Sequence, residues 1–467
     1  MFGSVLFGGG LDPVPDGVLW ERLLALADTN DDSSISVTEA EALTTFTCSG
    51  CPVEDLTGME AFVNLETFDL YAGSVSDLTP IAGLSALRVI EVRGNRIEGL
   101  PTPNAWSQLE KLDVSGNRLT SLPGLSGWPA LDRLEVDHNR LTQLPTLADT
   151  HLSVLRCGFN SLSELPALPA GLTSLDCTGN QLTALPDLSQ LTALTQLHLS
   201  GNQLTELVGL EPVRAQLTHL YFDGNPLTQL PDLRTFPALT SLGYGSTVLE
   251  TLPDIDDLDL AQLKVGGPVL TAWPDLPPGL SLLQLCCSDL TTVPALPHEL
   301  GRLYLSHLPH LAAAPEMFEL SFLTDLTITR VGIDRLPILP LELINLTVWD
   351  TTLDRLPDFE HLGQLRRISL RNNRLTEAHA LAQLPMGNVT SINIQNNLIP
   401  NSDQNCETMA YILEQITPNL NYQNQGDSNF FWQYLPRWGT EQEVTVFQPM
   451  RTLDLGPPGP APYTICD

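Results

Sequence analysis

The chain has 467 residues, of which 42% are apolar, and a formal net charge of −33 at pH 7. So strong a negative field opposes nucleic acids and anionic membrane surfaces, and neither is expected as a partner. No run approaches the eighteen or so apolar residues that span a membrane, so no transmembrane segment is predicted. Residues 1–17 form a leader or linker, whose apolar start lacks the basic residues of an export signal.

Residues 18–42 predict a small helical cap, with short helices over 18–27 and 37–43 on either side of an acidic loop. The loop has the spacing of an EF-hand, whose positions 1, 3, 5, 7, 9 and 12 supply oxygen ligands to Ca²⁺. These positions hold Asp28, Asn30, Asp32, Ser34 (through its carbonyl), Ser36 and Glu39. Ser33 stands where glycine normally makes the sharp turn, so weak Ca²⁺ binding is predicted. The alternative is a polar turn that caps the second helix.

Residues 43–400 repeat the pattern L-x-x-L-x-L/C-x-x-N-x-L-x-x-L in steps of about 20 to 24 residues, which gives about seventeen coils. Residues 172–185 show it most clearly, with Leu175 and Cys177 on one face of a strand and Asn180 in the turn that follows. One coil cannot bury its core alone, so the coils must stack. We therefore predict a leucine-rich repeat solenoid with a parallel β-sheet on its concave face.

The rest of each coil is predicted to be extended and polyproline-like on the convex side, because Leu-Pro pairs close many coils. The asparagine column lapses between residues 247 and 351, an irregularity that we attribute to sequence drift rather than to a bend. Residues 401–426 predict a C-terminal cap helix that covers the last strand edge. Residues 427–467 form an aromatic and proline-rich tail whose role the sequence does not assign.

The cysteine and histidine residues point away from catalysis. Cys157 and Cys177 fall at core positions of adjacent coils, where buried thiols are expected. Cys48 is also a core position and Cys51 takes an asparagine position; the pair has no second pair with which to bind zinc. No metalloprotease, nucleophile-elbow, phosphate-loop or dinucleotide pattern is present, so the protein is predicted not to be an enzyme.

The outward residues of the strands predict a binding surface. Four acids stack on successive strands, with aromatic rings along the same face, and such a surface would steer a basic protein and anchor it. The predicted ligand-binding residues are Asp69, Tyr71, Glu91, Asp113, Glu135, Phe159, Asp176 and Tyr221. The alternative is an acidic surface with incidental aromatic residues.

Two segments resemble bacterial leucine-rich repeat proteins. The run ADTNDDSSISVTEAEAL, with Cys48 and residues 56–60 (LTGME), resembles the EF-hand-like start of internalin-like surface proteins. The run PALPAGLTSLDCTGNQLTALPDL is similar to the short LPx-type repeats of secreted effectors. The resemblance implies a monomeric, non-enzymatic protein-binding module, extracellular or at the cell surface, with a cytoplasmic location as the alternative. A glycan or cell-wall adhesin and a structural spacer are the rival functions.

Overall fold

A computed structural model describes residues 11–399, except residues 12, 103–105, 246–247, 378 and 385–387. The chain divides into two compact units, Met1–Leu239 and Thr240–Asp467, called here the N-terminal and C-terminal units. The predicted cap helix at 401–426 and the tail at 427–467 lie outside the described residues, as does most of the predicted leader. None of the described helices is long and apolar enough to cross a membrane.

The N-terminal unit opens with two helices, α1 (Gly17–Ala27) and α2 (Val37–Ala42). The side chain of Asp16 starts α1 by accepting hydrogen bonds from the backbone N–H groups of Val18 and Leu19. Nine strands follow, each paired in parallel with the next along the chain. They are β1 (Thr45–Ser49), β2 (Thr67–Tyr71), β3 (Val89–Glu91), β4 (Lys111–Asp113), β5 (Arg133–Glu135), β6 (Val154–Arg156), β7 (Ser174–Asp176), β8 (Gln196–His198) and β9 (His219–Tyr221).

The C-terminal unit contributes eight more strands in the same parallel, in-step arrangement. They are β10 (Ser241–Gly245), β11 (Gln262–Gly266), β12 (Leu282–Cys286), β13 (Arg302–Leu308), β14 (Asp325–Val331), β15 (Asn345–Trp349), β16 (Arg367–Ser369) and β17 (Ser391–Asn393). The predicted leucine-rich repeat solenoid is confirmed. Between residues 65 and 399, the described segments outside the strands contain short 3-10 helices but no α-helix.

The leucines of the repeat form the core of each unit because alternate strand residues point inward. Leu175, Cys177 and their equivalents in neighbouring coils are fully or almost fully buried, as the repeat predicts. In the N-terminal unit the core also holds two stacked indoles, Trp106 and Trp128, whose ring centroids are 6.0 Å apart. The indole Nε1 of Trp106 donates to the carbonyl of Ile81, which satisfies its polar atom inside the core.

The asparagine column decides where each described strand ends. Asn202 Nδ2 donates to the carbonyls of Cys177 in the preceding coil and Leu199 in its own coil, and its Oδ1 accepts from the N–H of Leu182. These bonds occupy backbone groups that would otherwise continue the sheet. Strands followed by this asparagine have three residues, whereas those whose coil lacks it have five to seven. The irregular middle coils therefore have longer strands than the regular coils.

Residues before and after β1 in the sequence both hold this first strand in place. Arg22 of α1 donates through Nε to the carbonyl of Thr47, at 2.7 Å, and so covers part of the outer edge of β1. Cys48 and Cys51 are joined by a disulfide, with Cα atoms 5.8 Å apart. The sequence analysis treated these two cysteines as a core thiol and an asparagine substitute. Cys48 is buried, as its core position predicts, and the turn after β1 brings Cys51 within bonding distance of it.

Candidate functional site

The structure places the predicted outward residues of the N-terminal unit side by side in one continuous row. The strand register pairs Asp69 with Glu91, Glu91 with Asp113 and Asp113 with Glu135. It continues through Arg156, Asp176, His198 and Tyr221. With parallel strands about 4.8 Å apart, the row from β2 to β9 is roughly 34 Å long. The site is therefore a strip along the open face rather than a closed pocket.

The acids of this strip are more buried and more closely paired than the sequence suggested. Asp113 is 2% exposed and Glu135 is 8% exposed. Arg93 lies 2.9 Å from a Glu91 oxygen and 3.5 Å from an Asp113 oxygen. Most of the negative charge at the centre of the strip is therefore neutralised within the protein.

Basic side chains on either side complete this network. Lys111 forms an ion pair with Glu91. Arg133 and Arg156 lie 3.5 and 3.6 Å from the two carboxylate oxygens of Glu135. At the β2 end, burial and the neighbouring Glu91 raise the pKa of Asp69, whose Oδ1 is buried with no hydrogen-bond partner among the described residues. Asp69 is thus less well compensated than the acids on β3 to β5.

The aromatic residues occupy different places along this face. Tyr71, the last residue of β2, is 48% exposed, and the Cζ atom of Arg93 lies 5.8 Å from its ring centroid. Tyr221 on β9 is half-buried and meets the ring of His198 edge-on, with centroids 4.7 Å apart. His198 in turn lies 3.6 Å from a carboxylate oxygen of Asp176. The two tyrosines mark opposite ends of the strip.

Phe159 is not in the strand rows, which corrects the sequence analysis. It lies in the turn after β6, in the left-handed backbone region with φ of 52°, and it is 52% exposed. Its ring stacks on that of His138, which occupies the same turn position one coil earlier, with centroids 4.3 Å apart and planes 4° from parallel. On the other side, the ring lies where a Cβ at Gly179 would stand, within 2.8 Å of the Cδ1 atom. The phenyl ring is thus packed between His138 and Gly179 at the edge of the strand face.

Asp137 is a further acid of this face, and it is not among the predicted ligand-binding residues. It follows Glu135 by two residues, so it lies on the same face, and its Oδ1 accepts a hydrogen bond from the backbone N–H of Gly158 at 2.6 Å. Burial raises the pKa of Asp137 to about 7, helped by the charges of Asp176 and Glu135. The period-two alternation of the strand could have identified this position, although not its burial.

The acidic loop before α2 has a compact hydrogen-bonded geometry. Asp28 Oδ2 accepts from the N–H of Ser33 at 2.9 Å, and Asn30 Oδ1 accepts from the N–H of Asp32 at 2.9 Å. Ser33 adopts a positive φ of 63°, the conformation for which glycine is favoured at this position. Ser34 donates its N–H to Asp32. The loop therefore makes a tight turn at Ser33, held by hydrogen bonds from its own backbone to Asp28 and Asn30.

The last two predicted ligands, Ser36 and Glu39, form a capping box at the start of α2. Each carboxylate oxygen of Glu39 accepts two hydrogen bonds, one pair from Thr29 and the other from Ser36. Bonds from Ser36 and Thr29 lower the pKa of Glu39 to about 2. The ionised Glu39 therefore stabilises the folded protein fully above its ordinary pKa of 4.5, and this stabilisation is lost only as the pH falls toward 2.

This capping geometry bears on metal binding. Among the described residues, no three carboxylate, histidine or cysteine side chains are grouped so as to hold a metal ion. The donor set of the loop consists entirely of oxygen atoms, which is the chemistry that Ca²⁺ prefers. A bound Ca²⁺ would need Glu39 to exchange some of its four capping bonds for the metal.

Comparison with known proteins agrees with the repeat assignment. A family model described as "Leucine Rich repeats (2 copies)" matches residues 107–149 and 171–212. No curated protein matches the sequence. Among solved structures, the chain is similar to the functional domain of InlJ from Listeria monocytogenes, described as including a cysteine ladder, at 23% identity and a TM-score of 0.49 over 81% of this chain and 79% of that one.

Two further solved structures are similar to the chain. A leucine-rich repeat protein of Leptospira interrogans has 22% identity and a TM-score of 0.45, over 81% of this chain and 96% of that chain. The effector YopM from Yersinia pestis has 28% identity and a TM-score of 0.43, over 68% of this chain and 79% of that chain.

Proposed function

We propose that the protein is a non-enzymatic binding protein that recognises a protein ligand through the open strand face of its N-terminal unit. Repeat solenoids present extended faces of this kind for binding. The observation that carries the proposal is that Tyr71 and Phe159 remain about half exposed on a face whose other large side chains are buried or paired. Aromatic side chains are enriched at protein interfaces, and tyrosine is among the residues that most often dominate the binding energy. A basic partner is favoured by the net charge of −33 of the whole chain, since the acids at the centre of the strip are themselves paired.

The first experiment uses Phe159 to capture this partner. A photo-crosslinking benzoylphenylalanine at position 159 should bond covalently to a protein from the native environment, because the ring is exposed and fixed against His138. The same residue at Val208, which is 59% exposed and outside the strand rows, is the control. Equal capture at both positions, or capture at Val208 alone, would contradict a site on this face.

With the partner identified, Tyr71→Ala and Phe159→Ala should each weaken binding about tenfold or more, the loss typical of an aromatic anchor. Val208→Ala should leave the affinity unchanged. Reversing Asp113 or Glu135 is not a clean test, because both acids are buried and ion-paired and their loss would disturb folding. Unchanged affinity in both ring variants, measured by calorimetry with folding intact, would move the site elsewhere.

An extracellular or cell-surface location is proposed alongside this function, with the cytoplasm as the alternative. The Cys48–Cys51 disulfide supports it, since structural disulfides persist in oxidising compartments. A thiol count on the protein purified from its native source, before and after reduction, tests this point.

We also propose that the acidic loop binds one Ca²⁺ weakly, with a dissociation constant of roughly 10⁻⁴–10⁻³ M. Asp28, Asn30, Asp32, the Ser34 carbonyl, Ser36 and Glu39 would supply the oxygens. Calorimetry should show a Ca²⁺ heat that Glu39→Gln abolishes and that Glu41→Gln, two residues further along α2, leaves unchanged. If no such heat is found, the loop serves only as the cap of α2.

A further inference from the structure

The last three described strands of the C-terminal unit, β15 to β17, have an open face with no carboxylate. The register places Arg367 between Asn345 and Ser391, and Ser369 between Thr347 and Asn393. Trp349, Arg371 and Gln395 lie two residues beyond Thr347, Ser369 and Asn393 and therefore point to the same face. This set of nine residues, called here the arginine face, therefore combines two arginines and one indole with amides and hydroxyls.

The guanidinium of Arg371 is fixed in place without a polar partner. Its Cζ atom lies 3.6 Å from the ring centroid of Trp349, whose Nε1 in turn donates to Ser369 Oγ at 2.8 Å. The Nε atom of Arg371 is buried and has no hydrogen-bond partner among the described residues. The side chain as a whole is only half-buried, so part of the guanidinium still faces solvent, where an anion can bind it.

The charge around Arg371 is unusual for this chain. Residues 366–374 contain four arginines, Arg366, Arg367, Arg371 and Arg374, in a protein of net charge −33. None of the four forms an ion pair with a carboxylate in the part of the chain that the structure describes, whereas Arg330 and Arg355 of the same unit do. Two acids border this face, and both are already engaged: Asp325 of β14 accepts hydrogen bonds from Thr324 and Asn345. Asp350, which follows β15, accepts one from Asn372 and is ion-paired with Arg330. The arginine face is therefore a local cationic surface.

We propose that the arginine face binds a polysaccharide that carries carboxylate groups, such as a uronic acid polymer. A planar guanidinium backed by an indole is preorganised to bind a carboxylate through two parallel hydrogen bonds. The amides of Asn393 and Gln395 and the hydroxyls of Thr347 and Ser391 match the hydroxyl groups of sugar rings, since both can donate and accept. Trp349 is the only large apolar side chain among these nine residues, so the face offers a peptide little apolar contact.

This inference does not depend on the proposed protein-binding face. The two surfaces are in different units, share no residue and have opposite local charge. Variants of Tyr71 and Phe159 should leave polysaccharide binding unchanged, and variants of the arginine face should leave protein binding unchanged. Failure of one proposal is thus distinguishable from failure of the other.

The test uses the full chain and a fluorescently labelled oligogalacturonate of about twelve sugars, at physiological ionic strength. Arg371→Gln and Arg367→Gln should each weaken binding at least fivefold, as expected for loss of a charged hydrogen-bonding partner. Arg371→Lys keeps the positive charge but removes the paired N–H donors of the guanidinium, so it should bind almost as weakly as Arg371→Gln. Arg355→Gln, at an exposed arginine whose partner is the adjacent Asp354, is the matched control.

Three results would overturn the proposal. They are no saturable binding by the unaltered chain, an equal loss in Arg355→Gln, and tighter binding of polyglutamate than of oligogalacturonate. The last result would identify an acidic peptide as the ligand instead. Dextran sulfate as a third probe separates carboxylate recognition from general attraction to anions, because a general effect would follow charge density. Thermal unfolding of each variant checks that the fold is retained.

Discussion

Asp137→Asn is expected to make the protein more stable at pH 8 and to leave its stability nearly unchanged at pH 4. Burial raises the pKa of Asp137 to about 7, so the folded protein keeps this proton well above the pH at which the unfolded chain releases it. Stability is therefore lost as the pH rises from about 4 to 7. Asparagine stays neutral and can still accept the N–H of Gly158. At about 1.4 kcal/mol per pKa unit, reduced for partial solvent screening, we expect a gain of about 2–3 kcal/mol.

Asp176→Asn is the matched control for this prediction, because it lies on the same face with the opposite behaviour. Burial raises the pKa of Asp176, but hydrogen bonds from His198 and Thr178 outweigh that effect and lower the pKa overall. Its contribution is present above the unfolded pKa and is lost in acid, so this variant should be less stable at pH 8. Urea unfolding at pH 4, 6 and 8 measures both. A pH-independent difference for Asp137→Asn would contradict the shifted pKa.

Asn202→Ala is expected to destabilise the N-terminal unit by about 3–5 kcal/mol. The substitution leaves two carbonyls, of Cys177 and Leu199, and the N–H of Leu182 without their side-chain partner inside the stack. Each unsatisfied buried group costs about 1–3 kcal/mol, and some rearrangement or water entry reduces the sum. Chemical denaturation followed by circular dichroism measures the loss.

Asn64→Ala serves as the control for this second prediction. Asn64 is exposed and donates only one side-chain hydrogen bond, to the carbonyl of Glu41. Its loss should cost less than about 1 kcal/mol, as for a typical solvent-accessible hydrogen bond. If Asn202→Ala and Asn64→Ala cost the same, the asparagine column does not hold the coils together.

The repeat period was enough to predict which residues share the strip. Because parallel coils stack in step, counting from each first leucine places Asp69, Glu91, Asp113 and Glu135 side by side, and the register confirms this. The period says nothing about how far a side chain reaches. Arg93 turns toward both Glu91 and Asp113, so acids that look exposed in the sequence are neutralised in the structure.

Other features depended on local backbone geometry that a leucine count does not contain. Phe159 follows β6 by three residues and enters the left-handed turn, so it leaves the strand rows. The disulfide between Cys48 and Cys51 forms where the turn lacks asparagine. The carboxylate of Asp137 bonds to Gly158, one coil away. The first two depend on the backbone conformation of one turn, and the third depends on a contact between neighbouring coils.

The contact between Arg22 and Thr47 has a consequence for self-association. A parallel sheet built from identical steps can in principle be extended by any strand that pairs with its exposed edge, including one from another copy of the chain. At β1, the carbonyl of Thr47 is already taken by the Arg22 guanidinium, and α1 lies against the strand. An incoming strand would have to displace a charged hydrogen bond before it gained one of its own. Growth of fibrils from this end of the sheet therefore starts with an energetic barrier.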